Sequence, residues 1–226
     1  MSDLIDTTEM YLRTVYELEE EGVPPLRARI AERLSQSGPT VSQTVQRMER
    51  DGLLNVAEDR HIELTPLGRR RATSVMRKHR LAEVLLTEVI GLDYELVHDE
   101  ACRWEHVISD AVEDRLVALL DDPDVSPYGN PIPSRGALGV PPTPAEGGVV
   151  LLADVLPATG VAEVVVARLT EAAQADAELI AVLAEAGVRP GVTLRVERTT
   201  GRLRLAAAER VAVDPMVAHM MFVRPQ

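Results

Sequence analysis

At 226 residues, with 46% hydrophobic and 27% charged positions, the chain is long enough for one to two average domains or three small ones, and it lacks the run of roughly 18 to 20 apolar residues that a membrane span needs. Its acidic opening stretch carries no basic, then apolar, secretory pattern, and its one cysteine, Cys102, excludes an internal disulfide, so a cytoplasmic location is expected. The formal net charge of −12 opposes a nucleic-acid partner only as an average: residues 1–25 carry one basic side chain against seven acids, residues 26–80 twelve against six, and residues 81–226 eleven against twenty-three.

The first predicted element is a helix over Thr7–Glu21, with Met10, Val15 and Leu18 in helical register behind an Asp6-Thr7 cap. Pro24-Pro25 ends it. A short helix over Leu26–Leu34 follows, Ser35–Gly38 turns the chain, and Pro39 opens a third helix to Asp51 at a position where its missing N–H costs nothing. Two helices joined by about four residues that include a glycine form a helix-turn-helix pattern. Leu53–Val56 and Ile62–Leu64, separated by the polar tip Glu58–His61, read as a β-hairpin wing.

Thr65-Pro66 starts a long helix to about Ile90, and helices over Tyr94–Ser109 and Ala111–Leu120 come next. Seven of the fifteen prolines fall between Pro123 and Pro144, the composition of a semi-rigid linker. Beyond Val149, short Val-rich runs alternate with turns and one helical stretch, Ala175–Glu185, the pattern of a small β-barrel. The expected class is mainly α with small β, divided into a winged helix-turn-helix over 1–73, a helical unit over 74–140, a linker over 141–148 and the barrel over 149–226.

The basic island coincides with the helix-turn-helix. Arg27, Arg47, Arg50 and Arg60 are spread over the motif and the wing tip, where phosphates and a minor groove lie in winged-helix complexes; solvated surface arginine is the competing explanation. Ser37, Pro39, Thr40, Ser42 and Gln43 open the third helix. Gln43 can pair with an adenine edge, while Pro39 and the Thr40 methyl can touch thymine methyls, so an A/T-rich half-site is expected. Thr7 joins these as an expected DNA contact. Six aromatic residues are too few for a single-strand reader built on stacking, which favours duplex DNA.

His98, Cys102, Glu105 and His106 fall at offsets that one face of a helix brings together, and His79 and Glu83, spaced by four, share a face of the preceding helix. Thiolate, imidazole and carboxylate together suit a divalent transition ion. Buried His and Cys also occur as plain packing, and spacing alone leaves both explanations open. The HExxH pattern of zinc proteases is missing.

From DLIDTTEMYLRTVYELEEEGV through LRARIAERLSQSGPTVSQTVQRMERDGLL and RKHRLAE to HDEACRWEHV and SPYGNPIP, the chain resembles the diphtheria toxin repressor and iron-dependent regulator family, and LTEAAQAD resembles part of that family's SH3-like third domain. The resemblance implies an α-helical dimerisation domain between the winged helix and an SH3-like barrel. It implies a homodimeric repressor, not an enzyme, that is activated by Fe(II) and binds a palindromic double-stranded operator of iron-homeostasis genes. One or two dimers per operator are compatible with it, no membrane is involved, and Mn, Co, Ni or Zn can replace iron in vitro.

Two metal sites per subunit are implied. The primary one uses Met10, Cys102, Glu105 and His106; the ancillary one uses His79, Glu83 and His98, closed by Glu171 and Gln174 of the third domain. This sends His98 away from the stripe it shares with Cys102. A thioether and a thiolate are softer than the carboxylates of manganese-responsive relatives, which favours iron, although affinity order alone would favour Ni or Zn.

The resemblance also implies that the N-terminus around Leu4 rearranges on activation, and that the proline-rich stretch is either an intramolecular ligand of the barrel or a spacer. Met10 lies beside the DNA-binding motif and Cys102, Glu105 and His106 in the dimer-forming unit, so shared coordination would fix two recognition helices at the roughly 34 Å spacing of successive major grooves. DNA would then tighten metal binding by the same factor. Two other classes predict different behaviour: a winged-helix regulator of an organic ligand would ignore chelation, and a di-metal hydrolase would turn over substrate.

Overall fold

Asp6 starts the first helix, α1 (Thr7–Glu20), by accepting the N–H groups of Thr8 and Glu9 at 2.7 and 3.2 Å in the computed structural model, which describes residues 6–142, 147–157 and 160–226. This is the side-chain cap that satisfies otherwise orphaned first-turn donors. The expected rearrangement around Leu4, and positions 143–146 of the expected linker, lie outside the described residues.

The described residues fall into two units, the first drawn from Met1–Ala82, Ala101–Asp124 and Ile132–Pro144. In it, α1 is followed by α2 (Arg27–Arg33), α3 (Gly38–Arg50) and the antiparallel strands β1 (Leu54–Val56) and β2 (Ile62–Leu64), paired Leu54 to Leu64. One core joins Tyr11, Leu12, Val15 and Leu18 of α1 with Ile30, Val41, Val45, Met48, Leu54 and Ile62. The helix-turn-helix is therefore clamped from behind by α1 and from the side by the wing. Helix α4 (Pro66–Val84) begins tight against the wing: a Cβ on Gly68 would stand 1.8 Å from the Leu53 carbonyl oxygen.

Buried ion pairs hold α4 to its neighbours. Arg80, fully buried, donates to both oxygens of Glu20 at 2.9 and 2.5 Å, the fork-to-fork geometry that suits arginine. Arg77 donates to Glu113 at 2.8 Å, which joins α4 to α6 (Asp110–Leu119).

The long helix reaches Ile90 as expected, but it changes to π-helical winding over Leu85–Ile90 before Gly91, which adopts a left-handed φ of 74°. Helix α5 (Tyr94–Trp104) ends before Glu105, not at Ser109. Val107 and Ile108 both donate to the Trp104 carbonyl, and Ser109 caps α6 by accepting from Val112 at 3.3 Å, so the chain has to turn between the two helices. Glu105 and His106 consequently sit on a turn, with Glu105 keeping a helical bond to the Ala101 carbonyl at 3.0 Å.

The second unit combines Glu83–Glu100, Val125–Pro131 and Ala145–Gln226. After β3 (Val150–Leu151) and α7 (Leu152–Val155) come β4 (Val161–Leu169), α8 (Glu171–Gln174), α9 (Ala177–Glu185), β5 (Thr193–Thr199), β6 (Arg202–Ala206), β7 (Arg210–Val213) and β8 (Met221–Pro225). They form a six-stranded antiparallel sheet in the order β3-β8-β4-β5-β6-β7. Leu194 and Val196, Leu203 and Leu205, and Val164 and Val166 are buried at alternate positions, as the two-residue period requires. The helix expected over Ala175–Glu185 is α9, which starts at Ala177 behind its Asp176 cap, and the short α8, capped by Thr170, precedes it as an element the sequence pattern does not indicate.

Val125–Pro131 is not a spacer. Tyr128 is fully buried, its hydroxyl donates to the Tyr94 carbonyl at 2.7 Å, and its carbonyl accepts from Leu169 at 2.9 Å. Asn130 adds a bond to the Leu169 carbonyl at 2.8 Å. Of the two roles open for the proline-rich stretch, this part takes that of an internal ligand, docked on the end of β4.

Candidate metal centre and nucleic-acid interface

Met10, Arg13 and Thr14 lie on one face of α1, spaced three and four residues apart as helical neighbours are, and with Leu34, Cys102, Glu105 and His106 they line a cavity of about 80 Å³. All four residues expected at the primary site thus meet at one place within the first unit. The end of α5 contributes Cys102, and the turn after it contributes Glu105 and His106.

Glu105 is the electrostatic centre of this cavity. Burial opposes its ionisation, but Arg13 at 2.6 Å, a hydrogen bond from His79 at 2.7 Å and the charges of His79 and His106 outweigh that cost and lower its pKa to about 2. It is a carboxylate at neutral pH. Burial likewise draws His106 downward, yet its hydrogen bond to Glu9 at 2.7 Å and the nearby Glu105 and Glu9 charges raise its pKa overall. Its other nitrogen, Nε2, lies 3.2 Å from Glu105 Oε1. A histidine whose one nitrogen is held by a carboxylate while the other faces a donor cluster has the orientation of a metal ligand.

Glu83, His98 and Glu171 form a buried group in the second unit: His98 Nδ1 is 3.6 Å from Glu83 Oε1 and 3.5 Å from Glu171 Oε2, and one ligand atom from each lies within 4.8 Å of the others. Gln174 shares α8 with Glu171, three residues on. Its Nε2 donates to the Leu169 carbonyl at 2.9 Å, while its buried Oε1 has no hydrogen-bond partner among the described residues. A buried amide oxygen left in that state costs free energy unless something else satisfies it. His79 lies one turn before Glu83 on α4, fully buried, with Nδ1 against Glu105.

The expected DNA contacts separate by exposure. Thr7, Ser37, Pro39, Thr40, Gln43, Arg47, Arg50 and Arg60 are exposed, whereas Ser42 and Arg27 are half-buried. The Ser37 hydroxyl caps α3, accepting from the Thr40 N–H at 3.3 Å, so its side chain already has a structural task. Arg27 Nε, on α2, has no hydrogen-bond partner among the described residues. Arg60 holds a left-handed φ of 71° at the wing tip. Glu9 and Arg13 were absent from the expected site; their sequence signal is their spacing around Met10 on α1.

Two family models match the chain: "Iron dependent repressor, N-terminal DNA binding domain" over residues 3–62 and "Iron dependent repressor, metal binding and dimerisation domain" over 65–134. The iron-dependent repressor IdeR of Mycobacterium leprae is 61% identical over 228 residues, covering 99% of each chain. The diphtheria toxin repressor of Corynebacterium diphtheriae is 56% identical over 207 residues and 91% of each chain. Among solved structures, a manganese-dependent transcriptional repressor in complex with manganese superposes with a TM-score of 0.80 at 26% identity, over 97% of this chain and 100% of its own. By sequence over its whole length and by fold, this chain belongs to the iron-dependent repressor family, whose members are DNA-binding transcriptional repressors and not a class of enzymes.

Proposed function

We propose that the chain is an Fe(II)-activated repressor of iron-homeostasis genes, acting in the cytoplasm as a homodimer on a palindromic duplex operator and performing no catalysis. The observation that carries this is the convergence of a thioether, a thiol, a carboxylate and an oriented imidazole, from Met10, Cys102, Glu105 and His106, on one cavity beside the helix-turn-helix core. Their chemistry fits a divalent first-row ion, with the two sulfurs favouring Fe(II) over harder Mn(II). When bound, such an ion supplies a positive charge shared by donors from α1 and from the α5 end.

Each residue's part follows from its position. Met10 lies one residue before Tyr11, which is buried in the core that also holds Val41 and Val45 of α3. Drawing Met10 toward Cys102 and Glu105 therefore fixes α3 through packed side chains, and a fixed α3 is what a dimer needs to enter two major grooves at once. Glu105 contributes a charge that is already ionised at neutral pH. The ancillary ligands in this reading are Glu83, His98, Glu171 and Gln174, with His79 from the preceding turn of α4; the buried Gln174 Oε1 supports it. Val89, Ile90 and Leu96, 56%, 52% and 47% exposed, offer apolar surface of the kind a dimer covers.

A mobility shift on palindromic A/T-rich DNA tests the reading. Retardation is expected with Fe(II) under anaerobic conditions and its loss on adding chelator. Equal binding with and without metal would overturn it.

A further inference from the structure

The geometry points to Arg13 as a competing cation for the primary site: its guanidinium engages the same donor atoms that a metal would use, and it sets how much metal is needed to activate the protein. Nη1 of Arg13 lies 2.6 Å from Glu105 Oε2 and 3.2 Å from Cys102 Sγ, two of the residues expected to hold the primary metal. Its Nε is ion-paired with Glu17 Oε1 at 2.7 Å, one turn on along α1. The side chain is 14% exposed, so these contacts are made away from bulk solvent, and they line the same cavity as Met10 and His106.

A carboxylate oxygen and a sulfur that accept N–H bonds from a guanidinium cannot direct the same lone pairs at a second cation, and the two positive charges repel. Arginine remains charged throughout the accessible pH range, so the competition is not relieved by losing a proton. Arg13 therefore has to withdraw for Cys102 and Glu105 to coordinate. Its Glu17 pairing gives it somewhere to go: a guanidinium turned toward Glu17 keeps an anionic partner on α1 after Nη1 leaves the donors. Arg13 also balances the charge of a buried Glu105, which would otherwise cost stability whenever metal is scarce. One side chain thereby keeps the site folded and raises its metal threshold.

This inference rests on the metal-sensing reading above, and the two can fail separately. Full-length protein, stripped with chelator, is titrated anaerobically with Co(II) while the thiolate-to-cobalt absorption band is followed, with thermal unfolding recorded in parallel. A wild-type chain that develops no such band defeats the metal-sensing reading itself. Given a wild-type band, Arg13→Gln is expected to bind Co(II) about tenfold more tightly, a typical coupling between competing occupants, and to unfold at lower temperature without metal, with Co(II) restoring the loss. Arg13→Lys, which keeps the charge, is expected to gain much less. Unchanged or weaker Co(II) binding by Arg13→Gln, or an equal gain in both variants, would overturn the role given to Arg13. Should Arg13→Gln not fold without metal, Glu17→Gln, which removes the anion toward which Arg13 withdraws, is expected to weaken Co(II) binding, and unchanged or tighter binding there would equally overturn it.

Discussion

Glu9 Oε2 accepts a hydrogen bond from His106 Nδ1 at 2.7 Å, so the residue immediately before Met10 on α1 orients an imidazole ninety-seven positions further along the chain. The bond fixes the ring: with its proton held on Nδ1, Nε2 is the nitrogen that faces Glu105 and the one whose lone pair a metal would take. Removing such a carboxylate from behind a ligating histidine typically costs about 10- to 100-fold in metal affinity. Glu9→Ala is therefore expected to weaken Co(II) or Ni(II) binding by at least about tenfold, with operator binding weakened only at limiting metal. Calorimetric titration measures the first effect, and unchanged affinity would remove Glu9 from the site.

The helix-turn-helix and the wing are legible in the sequence because their signals are local: an apolar helical period, a proline opening the third helix, a glycine at the turn and two short apolar runs either side of a polar tip. Helical spacing singles out His79, Glu83, His98, Cys102, Glu105 and His106, and the family resemblance adds Met10, Glu171 and Gln174; Glu105 and His106 lie on a turn and not on the expected helix because no sequence signal marks where α5 gives way. Glu9 and Arg13 carry no local mark of their part in the site. Arg13 and Glu17 at helical spacing look like an ordinary solvated ion pair, and only long-range folding brings Glu105 to Arg13. The proline-rich composition around Tyr128 suggested a spacer, whereas its docking depends on Leu169, forty-one residues away.

Cys102→Ala and Glu171→Ala should separate the two proposed sites. The first deletes a donor from the cavity shared with Met10, and operator binding should no longer respond to Fe(II). The second removes one of the acids facing His98, and the Fe(II) response should persist at a higher metal concentration. Mobility shifts across a metal titration distinguish these outcomes; an abolished response in Glu171→Ala with a retained one in Cys102→Ala would exchange the primary and ancillary roles.

Gln43, in the first half of α3, and Arg50, its last residue, are both exposed and should fail in different ways. An amide near the N-terminus of a recognition helix reads base edges, whereas a guanidinium in its last turn meets phosphate. Gln43→Ala is expected to relax sequence preference at one position of each half-site. Arg50→Ala should weaken all sequences alike and reduce the salt slope by about one. Binding measured on a set of single-base operator variants at two salt concentrations checks both, and a sequence-specific loss in Arg50→Ala would reverse the assignment.

Gly129 and Gly191 share the same left-handed φ of 86°, yet their surroundings differ. A Cβ on Gly191 would meet nothing within 4 Å, whereas one on Gly129 would stand 2.2 Å from the Ala167 carbonyl oxygen and 3.0 Å from Arg168 Cα. Gly191→Ala should thus lose only the backbone preference, about 1 kcal/mol. Gly129→Ala carries that cost and an overpacking cost of about 1–3 kcal/mol as well, because the clash is with backbone of β4 and cannot be relieved by a rotamer change. The paired variants isolate the second contribution, since φ is held constant between them. Thermal or urea unfolding should place Gly129→Ala clearly below Gly191→Ala. Equal losses would mean that the docking of Val125–Pro131 on β4 yields to a methyl group, and that its close approach there contributes little to holding the second unit together.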